Sequence, residues 1–148
     1  MAQNLIAGTL LVAATVLIHT AGLLLLARTT TPLARLLGFH KHDLGRSLVM
    51  TGSVLALFLL HTLEVWLWAG TYLWLGAVGN FVDALDLSTA MFSTLGYDGS
   101  EGLSPSWRLL SALEGINGFL LIGWSTALFI TVILRIWSED HKWFEPPD

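Results

Sequence analysis

Apolar residues come in three long runs, at positions 5–27, 47–78 and 109–136, separated by shorter stretches where polar residues gather. Each run reaches or exceeds the roughly 20 residues that cross a hydrocarbon layer of about 30 Å as a helix. Three transmembrane helices are therefore predicted. Between the second and third runs lies residues 83–99, DALDLSTAMFSTLGYDG, which is moderately polar. Its helical part, 84–93, is too short to span. Leu87, Met91 and Thr94 fall on one face and Leu85, Thr89 and Phe92 on another, which predicts a short helix buried among others. Gly79-Asn80 ends the preceding helix, and Asp83 is the predicted N-cap. The helix stops at a small-residue loop, Thr94-Leu95-Gly96-Tyr97-Asp98-Gly99.

The edges of the long runs add detail. Thr29-Thr30-Thr31-Pro32 is predicted to stop the first helix, because proline cannot continue the backbone ladder. Leu33, Leu36 and Leu37 then suggest a short amphipathic piece at the membrane surface. The second run is longer than a span needs, so tilt or an extension above the membrane is expected. Trp66, Trp68, Tyr72 and Trp74 in its second half are predicted to sit at headgroup level. The third run carries Ser111, Ala112, Gly115, Gly118, Gly123, Ser125 and Ala127, small residues that let membrane helices approach closely. No basic residue precedes the first run and no cleavage site follows it at Arg28, so a retained helix is expected rather than a signal peptide.

Composition agrees with this pattern and narrows the classes of function. The chain is 54% hydrophobic and only 12% charged, with seven tryptophans, too little charge to cover a soluble domain of 148 residues. A net charge of -4 offers no footing for nucleic acid. The absence of cysteine excludes disulfides and thiolate metal sites, and no Gly-x-x-x-x-Gly-Lys or His-Glu-x-x-His pattern occurs. Arg28, Arg35, Lys41 and Arg46, four of the seven basic residues, cluster between the first two runs, and Arg135 closes the third. Asp83, Asp86, Asp98 and Glu101 lie on the other side. The positive-inside rule then places the N-terminus outside and the C-terminus in the cytoplasm of the plasma membrane. The expected organisation is an N-terminal helix at 1–28, a basic cytoplasmic loop at 29–46, a domain of two spans with the short helix between them at 47–137 and a short tail at 138–148.

Ionisable residues inside the spans are functional candidates. His19 lies in the first run, and its simplest reading is a neutral imidazole bonded to a neighbouring helix. His61 and Glu64 are three apart and share a helix face; Glu64 is expected to face protein, either His61 or another helix. The pair also suggests a metal site, with only two ligands close in sequence, and a membrane metalloenzyme using His19, His61 and Glu64 is a further reading. Glu114 and Asn117 are three apart in the last helix. His40 and His42 are read as solvated loop histidines.

One sequence pattern points further. The segment Phe81-x-Asp83-Ala84-Leu85-x-x-Ser88-x-x-x-Phe92-Ser93-Thr94-Leu95-Gly96-Tyr97, followed by the helix Trp107-Arg108-Leu109 to Glu114-Gly115-x-x-Gly118, resembles the pore helix, filter and inner helix of prokaryotic two-transmembrane potassium channels. The resemblance covers residues 47–136. It implies an all-α integral membrane fold with three transmembrane helices, a re-entrant pore helix and a selectivity-filter loop, four copies of which form the pore. It also implies potassium ions held by the backbone carbonyls of Thr94, Leu95, Gly96, Tyr97 and Asp98, a gating hinge at Gly118, and cavity-lining positions at Asn117, Phe119, Ile122 and Thr126. The expected partners are three further copies of the chain and the lipid bilayer, with no nucleic acid, no cofactor beyond the permeant ion and no enzymatic activity. A regulatory partner held by the additional first helix is a further expectation. Asp98-Gly99 reverses the Gly-Asp order of that family, which favours an alternative: a non-conducting sensor or assembly subunit that kept the pore fold.

Overall fold

The computed structural model describes residues 2–38, 42–96, 103 and 105–137. These residues form four α-helices: α1 (Ala2–Leu36), α2 (Asp43–Trp74), α3 (Phe81–Phe92) and α4 (Arg108–Trp137), with a 3-10 turn at Pro105–Trp107 ahead of α4. No strand occurs among them. Three stretches, Ala2–Leu36, Asp43–Trp74 and Pro105–Arg135, are helices long and apolar enough to cross a membrane. The chain is an all-α membrane protein of three such helices plus a short one.

The helices are apolar on the outside, unlike a soluble bundle, and polar residues such as His19, Glu64, Ser88 and Glu114 share the interior with an apolar core. On α1 the buried positions Asn4, Leu11, Thr15, His19 and Leu23 recur at helical spacing, while Leu5, Ile6, Leu10, Leu17, Leu24 and Leu25 are exposed. Exposed apolar side chains on this scale need lipid rather than water. Helix α1 packs along both α2 and α4, and α3 packs into the space between α2 and α4. The first helix is thus an integral wall of the bundle.

Helix α1 does not stop at Thr29–Pro32 but continues through Pro32 to Leu36. Proline removes one backbone donor, yet the neighbouring hydroxyls fit the helix, Thr29 Oγ1 donating to the Leu25 carbonyl and Thr30 Oγ1 to the Leu26 carbonyl, both at 2.7 Å. The carbonyl that Pro32 leaves without its usual donor is that of Arg28, a single loss of the kind membrane helices tolerate. The expected surface piece at Leu33 and Leu36 is the last turn of α1, and the inter-helix loop is correspondingly shorter than 29–46.

Trp68 and Tyr72, expected at headgroup level, are fully buried, whereas Trp66 and Trp74 are exposed. The period explains the split: Glu64, Trp68 and Tyr72 succeed one another at four-residue spacing and form the inward stripe of α2. At α3 the cap is Asn80 rather than Asp83. Asn80 Oδ1 accepts from the Asp83 backbone N–H at 2.9 Å, and Asn80 Nδ2 donates to Asp83 Oδ2 at 2.7 Å. Asp83 is the third helical residue and answers the cap through the Asn80 side-chain amide, not through the backbone N–H that a capping box uses. Replacing Asn80 by alanine is expected to cost about 1 kcal/mol, read as a lower midpoint of unfolding followed by tryptophan fluorescence in mixed micelles.

Candidate functional site

Two features meet where α3 ends: an exposed loop and a buried polar core. Helix α3 has 12 residues, which rise about 18 Å at 1.5 Å each and cannot cross the layer. Past the C-cap Ser93, Thr94 has φ 63° and Gly96 φ 78°. Glycine takes this left-handed conformation freely, but for β-branched Thr94 it is an outlier of about 1–2 kcal/mol. The bend is held by backbone bonds from Thr94 N–H to the Met91 carbonyl at 3.0 Å and from Gly96 N–H to the Ala90 carbonyl at 3.2 Å. Ser93, Thr94, Leu95 and Gly96 are all exposed, Leu95 to 84%. Tyr97 and Asp98, the other two filter positions of the resemblance, lie outside the described residues.

Helix α4 supports this loop at very close range. A Cβ on Gly118 would overlap the carbonyl oxygen of Phe92 and stand 2.8 Å from its Cα. Gly115 faces the Met91 carbonyl at 3.5 Å from the corresponding point. The hinge expected at Gly118 is, in this arrangement, the seat on which the end of α3 rests. Thr94 and Gly96 then line one open groove with Met91, Ala112, Gly115, Ile116, Phe119 and Leu120. Of the four expected cavity residues, Phe119, Ile122 and Thr126 are on exposed positions of α4. Asn117 is not: it is buried and donates from Nδ2 to Thr15 Oγ1 of α1 at 2.9 Å, because its helix face is the one that meets α1.

Beneath the loop lies the polar core, in two groups. In the first, Tyr72 OH donates to Glu114 Oε2 at 2.5 Å, and Ser88 Oγ reaches both Glu114 Oε1 and the Val65 carbonyl. This group fastens α3 to α2 and α4. In the second, the carboxylate of Glu64 is shared by two imidazoles: His19 Nδ1 is 2.9 Å from Oε1 and His61 Nδ1 is 3.0 Å from Oε2. On the far side of both rings, Ser125 Oγ lies 3.3 Å from His19 Nε2 and 3.1 Å from His61 Nε2. The four side chains close a ring that draws on α1, α2 and α4. His19 and Glu64 are at 0% exposure. The His61 ring also stacks on His19 at 5.4 Å and meets Phe92 at 5.5 Å, directly below the end of α3.

Chemically, the second group is a closed hydrogen-bond circuit. In the metal-free circuit with one proton in each of the four contacts, the Ser125 hydroxyl supplies one. The other three are then shared by one carboxyl and two imidazoles, an arrangement whose net charge is zero. Such neutrality suits a site shielded from water by low-dielectric surroundings.

His19 was expected to bond a neighbouring helix and Glu64 to face His61 or another helix; both do so, and to each other. The two candidate ligands close in sequence, His61 and Glu64, are met by His19, which lies 45 residues from Glu64 along the chain. Ser125, Ser88 and Tyr72 were not singled out as partners. The one signal that marked them was their place on the inward stripe of each helix.

No family model matches the chain, and neither a curated protein nor a solved structure matches it.

Proposed function

We propose that this protein is the subunit of a homotetrameric cation channel that passes dehydrated potassium ions along the backbone carbonyls of Thr94 to Tyr97, extended outward by Asp98. The observation that carries the reading is the end of α3: a helix too short to span, followed by an exposed backbone with Thr94 and Gly96 both at positive φ, and seated on Gly118. Irregular backbone at membrane depth needs either burial in protein or a water-filled lining, and rings of carbonyls that replace a hydration shell are one established reason for it. The C-terminal end of α3, which carries partial negative charge, lies beside the same loop. A single loop cannot encircle an ion, so closed four-fold symmetry is required. The open groove along Gly115, Ile116 and Phe119 is then the side turned toward the axis and the neighbouring copies. The clustering of basic residues between the first two spans supports a loop at the outer face of the plasma membrane, with the N-terminus outside and the C-terminus within.

The reversed pair Asp98-Gly99 favours a second reading, a non-conducting subunit of the same fold. Reconstitution separates the two. The purified protein in liposomes bearing a potassium gradient is expected to carry potassium flux above that of empty vesicles. Absence of flux across several pH values and voltages excludes the channel.

A further inference from the structure

We propose that His19, His61 and Glu64 form an intramembrane binding site for one divalent transition-metal ion of the zinc type, with Ser125 orienting both imidazoles. The inference is independent of ion conduction and rests on the geometry of the ring.

One ligating atom from each of the three residues lies within 4.8 Å of the others. Two imidazole nitrogens and a carboxylate are a donor set that zinc accepts, at about 2.0–2.2 Å per bond. Calcium and magnesium demand oxygen instead. The edges of a tetrahedron with such bonds measure about 3.3 Å. The Nδ1 atoms already stand 2.9 and 3.0 Å from the two carboxylate oxygens, so entry of an ion requires the three side chains to separate by a few tenths of an ångström.

A bound ion needs both Nδ1 lone pairs turned toward it, and Ser125 can serve that tautomer as well as the metal-free circuit. Its hydroxyl has a single proton and can donate to only one Nε2, but its oxygen can accept from both. With both Nε2–H groups donating to Ser125, each Nδ1 presents a lone pair to Glu64. Nitrogen lone pairs facing a carboxylate repel unless a proton or a cation stands between them. A metal-bound histidine commonly gives its other N–H to such an acceptor, which fixes the ring and strengthens the ligand. One serine performs that service for two rings, at 3.3 and 3.1 Å. Among the described residues no further histidine, aspartate or glutamate joins the group, so the fourth position is left for water or another small ligand. Because the ligands come from α1 and α2 and the orienting serine from α4, the bound ion would tie the first helix to the helices that carry the α3 loop.

Equilibrium dialysis of the full chain in detergent, first stripped with chelator and then exposed to zinc, with elemental analysis, tests the site. About one zinc per chain is expected, together with a rise in the thermal unfolding midpoint. His40→Gln with His42→Gln should keep that ion, which separates the core from the solvated loop. Glu64→Gln, whose amide can still bond both imidazoles, should abolish it while remaining folded, and Ser125→Ala should weaken it by about 10–100-fold. X-ray absorption of the wild-type zinc form should show nitrogen and oxygen neighbours with two imidazoles. Absence of stoichiometric zinc in folded wild-type protein overturns the proposal, as does retention of the ion in Glu64→Gln or its loss with the two loop histidines.

Discussion

Gly118→Ala is expected to lower the stability of the bundle by about 1–3 kcal/mol or more, the range for overpacking a filled interior, and to abolish whatever the α3 loop does. The added methyl meets backbone, the carbonyl of Phe92, and not the yielding end of a side chain. Phe92 closes α3, so the only relief is to move the end of that helix, and with it Thr94 to Gly96, away from α4. Other glycines grade the effect. At Gly8 and Gly22 the nearest atoms are the ends of Leu113 and Leu60, which can change rotamer, so alanine there should cost less. At Gly123 nothing lies within 4 Å, and alanine should be neutral or stabilising by up to about 1 kcal/mol through helix propensity. Unfolding in mixed micelles, followed by the tryptophans, orders the four variants. A hinge at Gly118 predicts something different, altered gating at unchanged stability. A Gly118→Ala protein as stable as Gly123→Ala rules out the close-approach account.

The second large effect is expected at Glu64. Alanine there removes the shared acceptor of two imidazoles whose other nitrogens are held by Ser125. Of the two bonds lost only His19–Glu64 runs between helices, where such a bond is worth about 0.6–1.7 kcal/mol; leaving buried imidazole groups without their acceptor adds to it, which predicts about 1–3 kcal/mol. Glutamine should cost distinctly less, because its oxygen accepts from one ring and its amide donates to the other. The same ordering should appear in the coupling of α1 to the rest: His19→Ala combined with Glu64→Ala should cost less than the sum of the two single changes, since either one already breaks the contact. Strict additivity in that double-mutant cycle would mean that the His19–Glu64 bond contributes nothing.

Much of the architecture was legible along the chain. The three long apolar runs, the short helix between the second and third, and the small residues of α4 follow from hydrocarbon thickness and helical period, which act locally. Local rules also misplaced some boundaries. Thr29–Pro32 reads as a stop by backbone chemistry alone, yet a membrane helix tolerates the loss of one donor and this one runs on to Leu36. Trp68 and Tyr72 read as surface aromatics by residue type, yet their register with Glu64 turns them inward.

What sequence alone determined is therefore a membrane protein of three spans, with a short helix that ends at Thr94-Leu95-Gly96, because insertion and helix length depend on runs of neighbouring residues. Only the tertiary structure decided that Gly118 is where the end of α3 rests. It also decided that Asn117 turns to α1, and that His19, His61, Glu64 and Ser125 close one ring. Those facts depend on which faces of different helices meet. Residues 45 and 106 positions apart, as Glu64 and Ser125 are from His19, leave no periodic trace of each other. Each helix records only its own inward stripe, and the pairing of stripes depends on contacts such as the close backbone approach of α3 and α4 at Gly115 and Gly118.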